Sequence, residues 1–214
     1  MCDLNARDVG KEFQVVSICT LELRLFPTNH RKFAMFAESQ LQVFRQALLA
    51  FTIAETERFI ADHPGETFYA FAYDCNLFYG ETSLCLNTEE FAAETLRRYQ
   101  EEYPEHYQNE DDRQDLRYNT GDWQYQCFAT GYVMSEDDIN VATGYDEDLN
   151  GDEFSARAEQ ALSQLMAAVR QTLAEFVQTD AFRRIPKTAD FVAFATDHDD
   201  EGVDWAQVIR IKAA

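Results

Sequence analysis

Three groups of residues in this 214-residue chain have types and spacing that chemistry uses. The run Asp146-Glu-Asp148-Leu-Asn150-Gly151-Asp152 opens like a calcium loop, with oxygen ligands at alternate positions and a glycine sixth for the turn. The twelfth position, which in such loops donates a bidentate carboxylate, is Arg157, so the run reads as a solvated helix entry, with a weak cation site as its alternative. Asp197-His198-Asp199-Asp200-Glu201 sets an imidazole among carboxylates. Neighbours in a loop diverge, and none of His30, His63 or His106 stands at ligand spacing, so this run reads as a polar loop tip. Asp74 and Asp197 close the same seven-residue pattern, Phe-x-Ala-Phe-Ala-x-Asp, which begins at Phe68 and at Phe191. Two strands of one sheet account for the echo, and two acids at one sheet end are the minimum for a carboxylate-dependent hydrolase.

Nucleophiles are poorly supported. Cys19, Cys75, Cys85 and Cys127 sit in apolar runs with no Lys, Arg or His beside them in sequence, so each reads as a small buried hydrophobe. The eight glycines are dispersed and form no phosphate loop, and no Gly-x-Ser-x-Gly elbow occurs. No catalytic residue, metal site or cofactor is therefore assigned.

The elements that would position these groups are legible from periodicity. Phe13 to Phe26 ends in a strand-like alternation of Leu21, Leu23 and Leu25 against Glu22 and Arg24. Phe33 to about Ala61 repeats Leu41, Phe44, Leu48 and Phe51 at helical spacing and stops at His63-Pro64-Gly65. Phe68–Tyr73 and Leu77–Leu86 read as a hairpin turning at Asp74-Cys75-Asn76. Asn87 with Glu90 has the spacing of a helix cap, and Pro104 ends the helix it opens. A strong amphipathic helix runs from Phe154 to Val177, and Phe191–Ala195 and Val208–Ile211 are strands. Glu105 to Glu153 lacks periodicity. The expected fold is α+β, a single mixed or antiparallel sheet packed against about three amphipathic helices. It forms one domain over 1–214 with an acidic irregular insertion around 105–153.

Charge is the strongest functional signal. Of 39 acidic residues, 16 lie between Glu101 and Glu153 against only Arg113 and Arg117, a net −14. Asp197, Asp199, Asp200, Glu201 and Asp204 add −5, so two stretches hold nearly all of the formal −21. Such a field repels nucleic acid and anionic membranes and attracts basic partners. An odd set of five cysteines without a Cys-x-x-Cys pair, and a start lacking a signal-peptide pattern, point to the cytoplasm. Exposed aromatics amid charge anchor interfaces, which makes Trp123, Tyr125, Asp137, Asp138, Asp146 and Asp148 the candidate partner-binding residues. The alternative for Trp123 and Tyr125 is a clamp that fastens the acidic segment to the core.

Thr67-Phe-Tyr-Ala-Phe-Ala-Tyr-Asp74, the capped helix after it, and Arg117-Tyr-Asn-Thr-Gly-Asp-Trp123-Gln-Tyr125 resemble a bacterial family of unknown function. That family carries a Phe-Tyr-x-Phe strand and a later Arg-Trp-x-x-x-acid-Trp-x-Tyr element; here Tyr118 stands in place of the first Trp. The resemblance spans roughly Phe36 to Asp197, concerns aromatic and structural positions, and implies a setting in toxin-immunity gene neighbourhoods. The function expected is thus an acidic protein-interaction domain, an immunity-type neutraliser of a basic protein. Small-molecule or weak cation binding is the alternative.

Overall fold

The computed structural model describes residues 35–144, 155–198 and 203–211. The strand expected over Phe13–Phe26, the loop residues Asp146 and Asp148, and Asp199, Asp200 and Glu201 lie outside the described residues. The described part is α+β. Its helices are α1 (Glu38–Asp62), α2 (Glu89–Glu102), α3 (Glu110–Tyr118), α4 (Glu136–Thr143), α5 (Ala156–Phe176) and α6 (Asp180–Arg184). Its strands are β1 (Phe68–Asn76), β2 (Glu81–Thr88), β3 (Tyr125–Tyr132), β4 (Lys187–Asp197) and β5 (Ile209–Arg210). They form one mixed sheet in the order β3-β2-β1-β4-β5, in which only β1 and β4 are parallel.

Strands buried on both faces need apolar residues at nearly every position, and β1 is buried from Phe68 to Cys75. Alternation sends Phe71, Tyr73 and Cys75 to a first face and Ala70, Ala72 and Asp74 to a second. Bulky rings on the first face pack against α1, α4, α5 and α6. There α1 presents Phe44, Leu48, Thr52, Thr56 and Phe59 as one buried stripe, and Thr52 shares a 2.8 Å hydrogen bond with the Tyr73 hydroxyl. The alanines of the second face leave room for Tyr69, Trp123 and Phe194, whose rings meet edge to face at 5.7 to 6.0 Å. Helices α2 and α3 lie on this side, where Ala92 and Tyr118 pack against the cluster.

Three expectations need correction. The hairpin does not turn at Asp74-Cys75-Asn76. Strand β1 continues through them, and the reversal is a short 3-10 turn, Leu77–Tyr79, closed by Gly80 in the left-handed region at φ 71°. Asp74 reads as a turn residue but is buried and bonded. The cap of α2 is Thr88, whose hydroxyl accepts from the Phe91 amide, while the Asn87 side chain is used by Tyr69 and the amides of Thr88 and Gln124.

The third correction concerns 105–153, which is ordered over most of its described length. Asn109-Glu-Asp-Asp and Ser135-Glu-Asp-Asp open α3 and α4, each with its first residue as cap and three acids in the first turn. The Asn109 side chain accepts from the Asp112 amide at 2.8 Å and donates to the Asp112 carboxylate at 2.9 Å; Ser135 and Asp138 do the same at 3.2 and 2.7 Å. Acids here complement the positive end of the helix dipole. Helices of nine and eight residues are too short for their apolar stripe to stand out.

A Cβ at Gly80 would lie 2.5 Å from the Met134 carbonyl oxygen, whereas one at Gly65, with φ 93°, meets nothing within 4 Å. Gly80→Ala is expected to lose about 2 kcal/mol or more in urea unfolding and Gly65→Ala only about 1 kcal/mol, the left-handed backbone being common to both.

Candidate functional site

The parallel pairing of β1 with β4 brings a row of polar side chains together on the second face, at the carboxyl end of both strands. Thr130, Ser83, Asp74 and Thr196 are consecutive partners across β3, β2, β1 and β4. Asp74 is 4% exposed. Buried carboxylates need partners, and Asp74 has two: the Thr120 hydroxyl donates to one oxygen at 2.7 Å, and His198 Nδ1 lies 3.2 Å from the other. The His198 amide also donates to the Cys75 carbonyl at 2.7 Å, which fixes the imidazole beside the strand end.

Thr120 belongs to a 3-10 turn, Thr120–Asp122, held from both sides. Asn119 caps it and donates to Asp122 at 2.7 Å, and the Tyr99 hydroxyl of α2 donates to the other Asp122 oxygen at 2.6 Å. That bond to a carboxylate, with some burial, pushes the Tyr99 phenol up to about 12. Beneath the turn, Trp123 donates its indole N–H to the Arg117 carbonyl at 2.9 Å, an acceptor it shares with the Tyr69 hydroxyl. The Arg117 guanidinium lies 3.9 Å from the Tyr69 ring centre and grips both oxygens of Glu89. Arg117 and Trp123 thereby clamp this element to the sheet.

Above the row opens a cleft of about 340 Å³. Its carboxylates are Asp115 and Asp122 from the first acidic stretch, Asp197 of the second borders it at the end of β4, its rings are Tyr107, Tyr118 and Trp205, and among the described residues no Lys or Arg lines it. Tyr118 and Trp205 meet edge to face at 4.8 Å. Arg210 stands beyond, 5.4 Å from the Trp205 ring centre. A concave site of this size with carboxylates and π faces has the chemistry to receive a guanidinium or ammonium group. An imidazole oriented by a carboxylate is also the start of a general base, but Thr120, the hydroxyl bonded to the same carboxylate, already gives its proton to Asp74.

A family model, Domain of unknown function (DUF4303), matches residues 48–213. The chain belongs to this family. The curated proteins and the solved structures gave no match. In this DUF4303 domain the four described residues expected to bind a partner, Trp123, Tyr125, Asp137 and Asp138, are not gathered on one surface. Trp123 is buried at 4% exposure on the second face, so it serves as the clamp and offers no free ring. Tyr125 turns to the first face, half-buried against Phe59 and His63 with its hydroxyl on Glu66. Asp137 and Asp138 occupy the first turn of α4, in the first-face layer. Asp74 and Asp197 do reach the same sheet end, but Asp197 is opposite Cys75 and Asp74 opposite Thr196, so alternation directs the two acids to opposite faces. The carboxylate pair a hydrolase would use is not formed. Among the described residues, no group of three or more His, Cys, Asp or Glu side chains is placed to hold a metal ion, and no helix is long and apolar enough to cross a membrane.

Sequence reasoning missed Asp115, Tyr107 and Trp205. The seven-residue echo ending at Asp74 and Asp197 and the Asp197-His198 run pointed to this end of the sheet.

A lysine retains the charge of Arg117 but neither the two-pronged grip on Glu89 nor the flat stack on Tyr69. Arg117→Lys is expected to lower unfolding free energy by about 1 to 2 kcal/mol. Arg97→Lys, which alters an exposed pair with Glu101, should change it by less than about 0.5 kcal/mol in the same chemical denaturation series.

Proposed function

We propose that this DUF4303 domain is an acidic protein-interaction domain that binds a basic protein partner, with the cleft at the carboxyl end of β1 and β4 receiving one of the partner's cationic side chains. The observation that supports this reading is the meeting of the Asp115 and Asp122 carboxylates with three aromatic rings, beside Asp197 at the end of β4, with no basic lining residue among the described ones other than His198. The carboxylates of Asp115 and Asp122 attract the charge, π faces add a cation–π term of about 0.5 to 2 kcal/mol, and partial enclosure strengthens both. Acids on α4 and on the described rim act at longer range, steering approach at a rate that falls as salt rises. Neutralisation of a basic toxin by covering its own acid-seeking groove is the form of this function that the family resemblance favours. The anchoring ring in this reading is Trp205, 36% exposed, in place of Trp123.

The cleft volume also lies within the range that takes small molecules, about 300 to 1,000 Å³, which keeps a free cationic metabolite as the second reading.

Intrinsic fluorescence separates these outcomes, because Trp205 is accessible and Trp123 is not. Titration with an arginine-rich peptide at low salt is expected to change the emission of the wild-type protein, and Trp205→Phe should abolish the change. Asp115→Lys should weaken peptide binding about tenfold or more, and Asp137→Lys with Asp138→Lys should slow association with a smaller loss of affinity. Equal affinity for Asp115→Lys and wild type would remove the cleft from the proposal. A response to free arginine as strong as that to the peptide would favour the second reading.

A further inference from the structure

We propose that Cys85 and Cys127 form a reversible redox pair, in which Cys127 reacts with a hydroperoxide and Cys85 resolves the product as a cross-strand disulfide. The two residues face each other where the β2–β3 ladder is interrupted. Leu84 pairs with Ala129 and Leu86 with Tyr125, so Cys85 alone spans the interval that Gln126, Cys127 and Phe128 occupy on β3. Cys127 is the bulged residue, at φ 51°, a left-handed conformation that a non-glycine residue adopts only at a steric cost. The bulge turns the Cys127 amide onto the Cys85 sulfur, at 3.3 Å, and leaves the Cys127 side chain exposed while Cys85 is buried in the second-face cluster. An accessible attacking thiol backed by a sheltered second thiol is the arrangement of redox-sensing pairs.

The electrostatics fit the same division of labour. A hydrogen bond from Cys85, supplemented by Ser83, lowers the Cys127 thiol to about 6 against partial burial and the charges of Asp74 and Glu81. The bond to Cys127, with burial, raises the Cys85 thiol, which holds its proton until it is needed. Reading Cys127 as a buried hydrophobe from its apolar run is therefore corrected. The cause is the bulge, which one-dimensional alternation does not reveal. Cys75, fully buried on the first face, has its thiol pushed up by burial and serves as an internal control.

The chemistry balances without a further reagent. The Cys127 thiolate attacks the peroxide oxygen, the O–O bond breaks, and an alkoxide or hydroxide leaves and takes a proton, giving a sulfenic acid. The Cys85 sulfur then attacks the sulfenic sulfur, the S–S bond forms, and the hydroxyl departs with the Cys85 proton as water. Two thiols lose two electrons and the peroxide gains them; a dithiol reductant reverses the change.

The test uses the full chain carrying Cys2→Ser and Cys19→Ser, treated with one equivalent of hydrogen peroxide and mapped by mass spectrometry. A Cys85–Cys127 cross-linked peptide, reversed by dithiothreitol, is expected, together with an unmodified Cys75. In Cys85→Ala, Cys127 should instead be trapped by dimedone as its sulfenic acid. The rate of Cys127 alkylation by iodoacetamide should titrate near pH 6, below the ordinary cysteine value of about 8.5. Absence of the cross-link in the Cys2→Ser/Cys19→Ser protein, with Cys127 either unreacted or carried to sulfinic acid, would overturn the proposal.

Discussion

One buried carboxylate holds the functional end of this fold together. Asp74 ends the apolar part of the central strand, and its two oxygens are taken by Thr120, 46 residues away, and by His198, 124 residues away. A charged group at 4% exposure is unfavourable unless it is bonded on both sides. The requirement is met only when the turn after α3 and the end of β4 arrive together. Parallel pairing of β1 with β4 aligns the strand ends, and the Arg117–Trp123 clamp delivers the turn from the other direction. The cleft follows from these constraints, since its walls are the segments that Asp74 joins.

Acidity in this chain serves two purposes that composition cannot separate. Asn109-Glu-Asp-Asp and Ser135-Glu-Asp-Asp place six acids in the first turns of two short helices, where each offsets unpaired amides and the helix dipole. The two helices lie in different layers, α3 on the second side of the sheet and α4 on the first. Strand β3 runs in the same direction as β1, so α4 nevertheless begins at the sheet end that carries the cleft. Among the described residues the charge is thus neither one continuous face nor an even coat. Its described part is divided between two layers, with Asp115 and Asp122 at the cleft itself.

Long periodic segments announced themselves. The helices at Glu38–Asp62 and Ala156–Phe176 and the strands beginning at Phe68 and ending at Asp197 follow from apolar spacing alone. Segments whose order depends on caps did not: α3 and α4 are short and acid-rich, and their stability comes from two side-chain caps and packing of Leu116 and Ile139. The seven-residue echo was sound as evidence for two strands of one sheet, which are neighbours. Their register is offset by one, so Phe71 pairs with Ala193, and Phe71 and Phe194, equivalent in the echo, face opposite layers. Register is a tertiary property, which is why two aspartates matched in sequence separate in space. Trp123 was readable as a clamp because large aromatics seek burial; the role of Trp205 was not, because its neighbours in the cleft come from segments about ninety residues earlier in the chain.

Amide hydrogen exchange in wild type and Asp74→Ala tests most directly whether one carboxylate unites the two walls of the cleft. The amides of Asp122, Trp123 and His198 are each hydrogen-bonded in the folded protein. The account predicts that these amides, on both segments, lose protection together in the variant while those within α1 retain theirs. Loss at one segment alone, or unchanged protection at both, would contradict it.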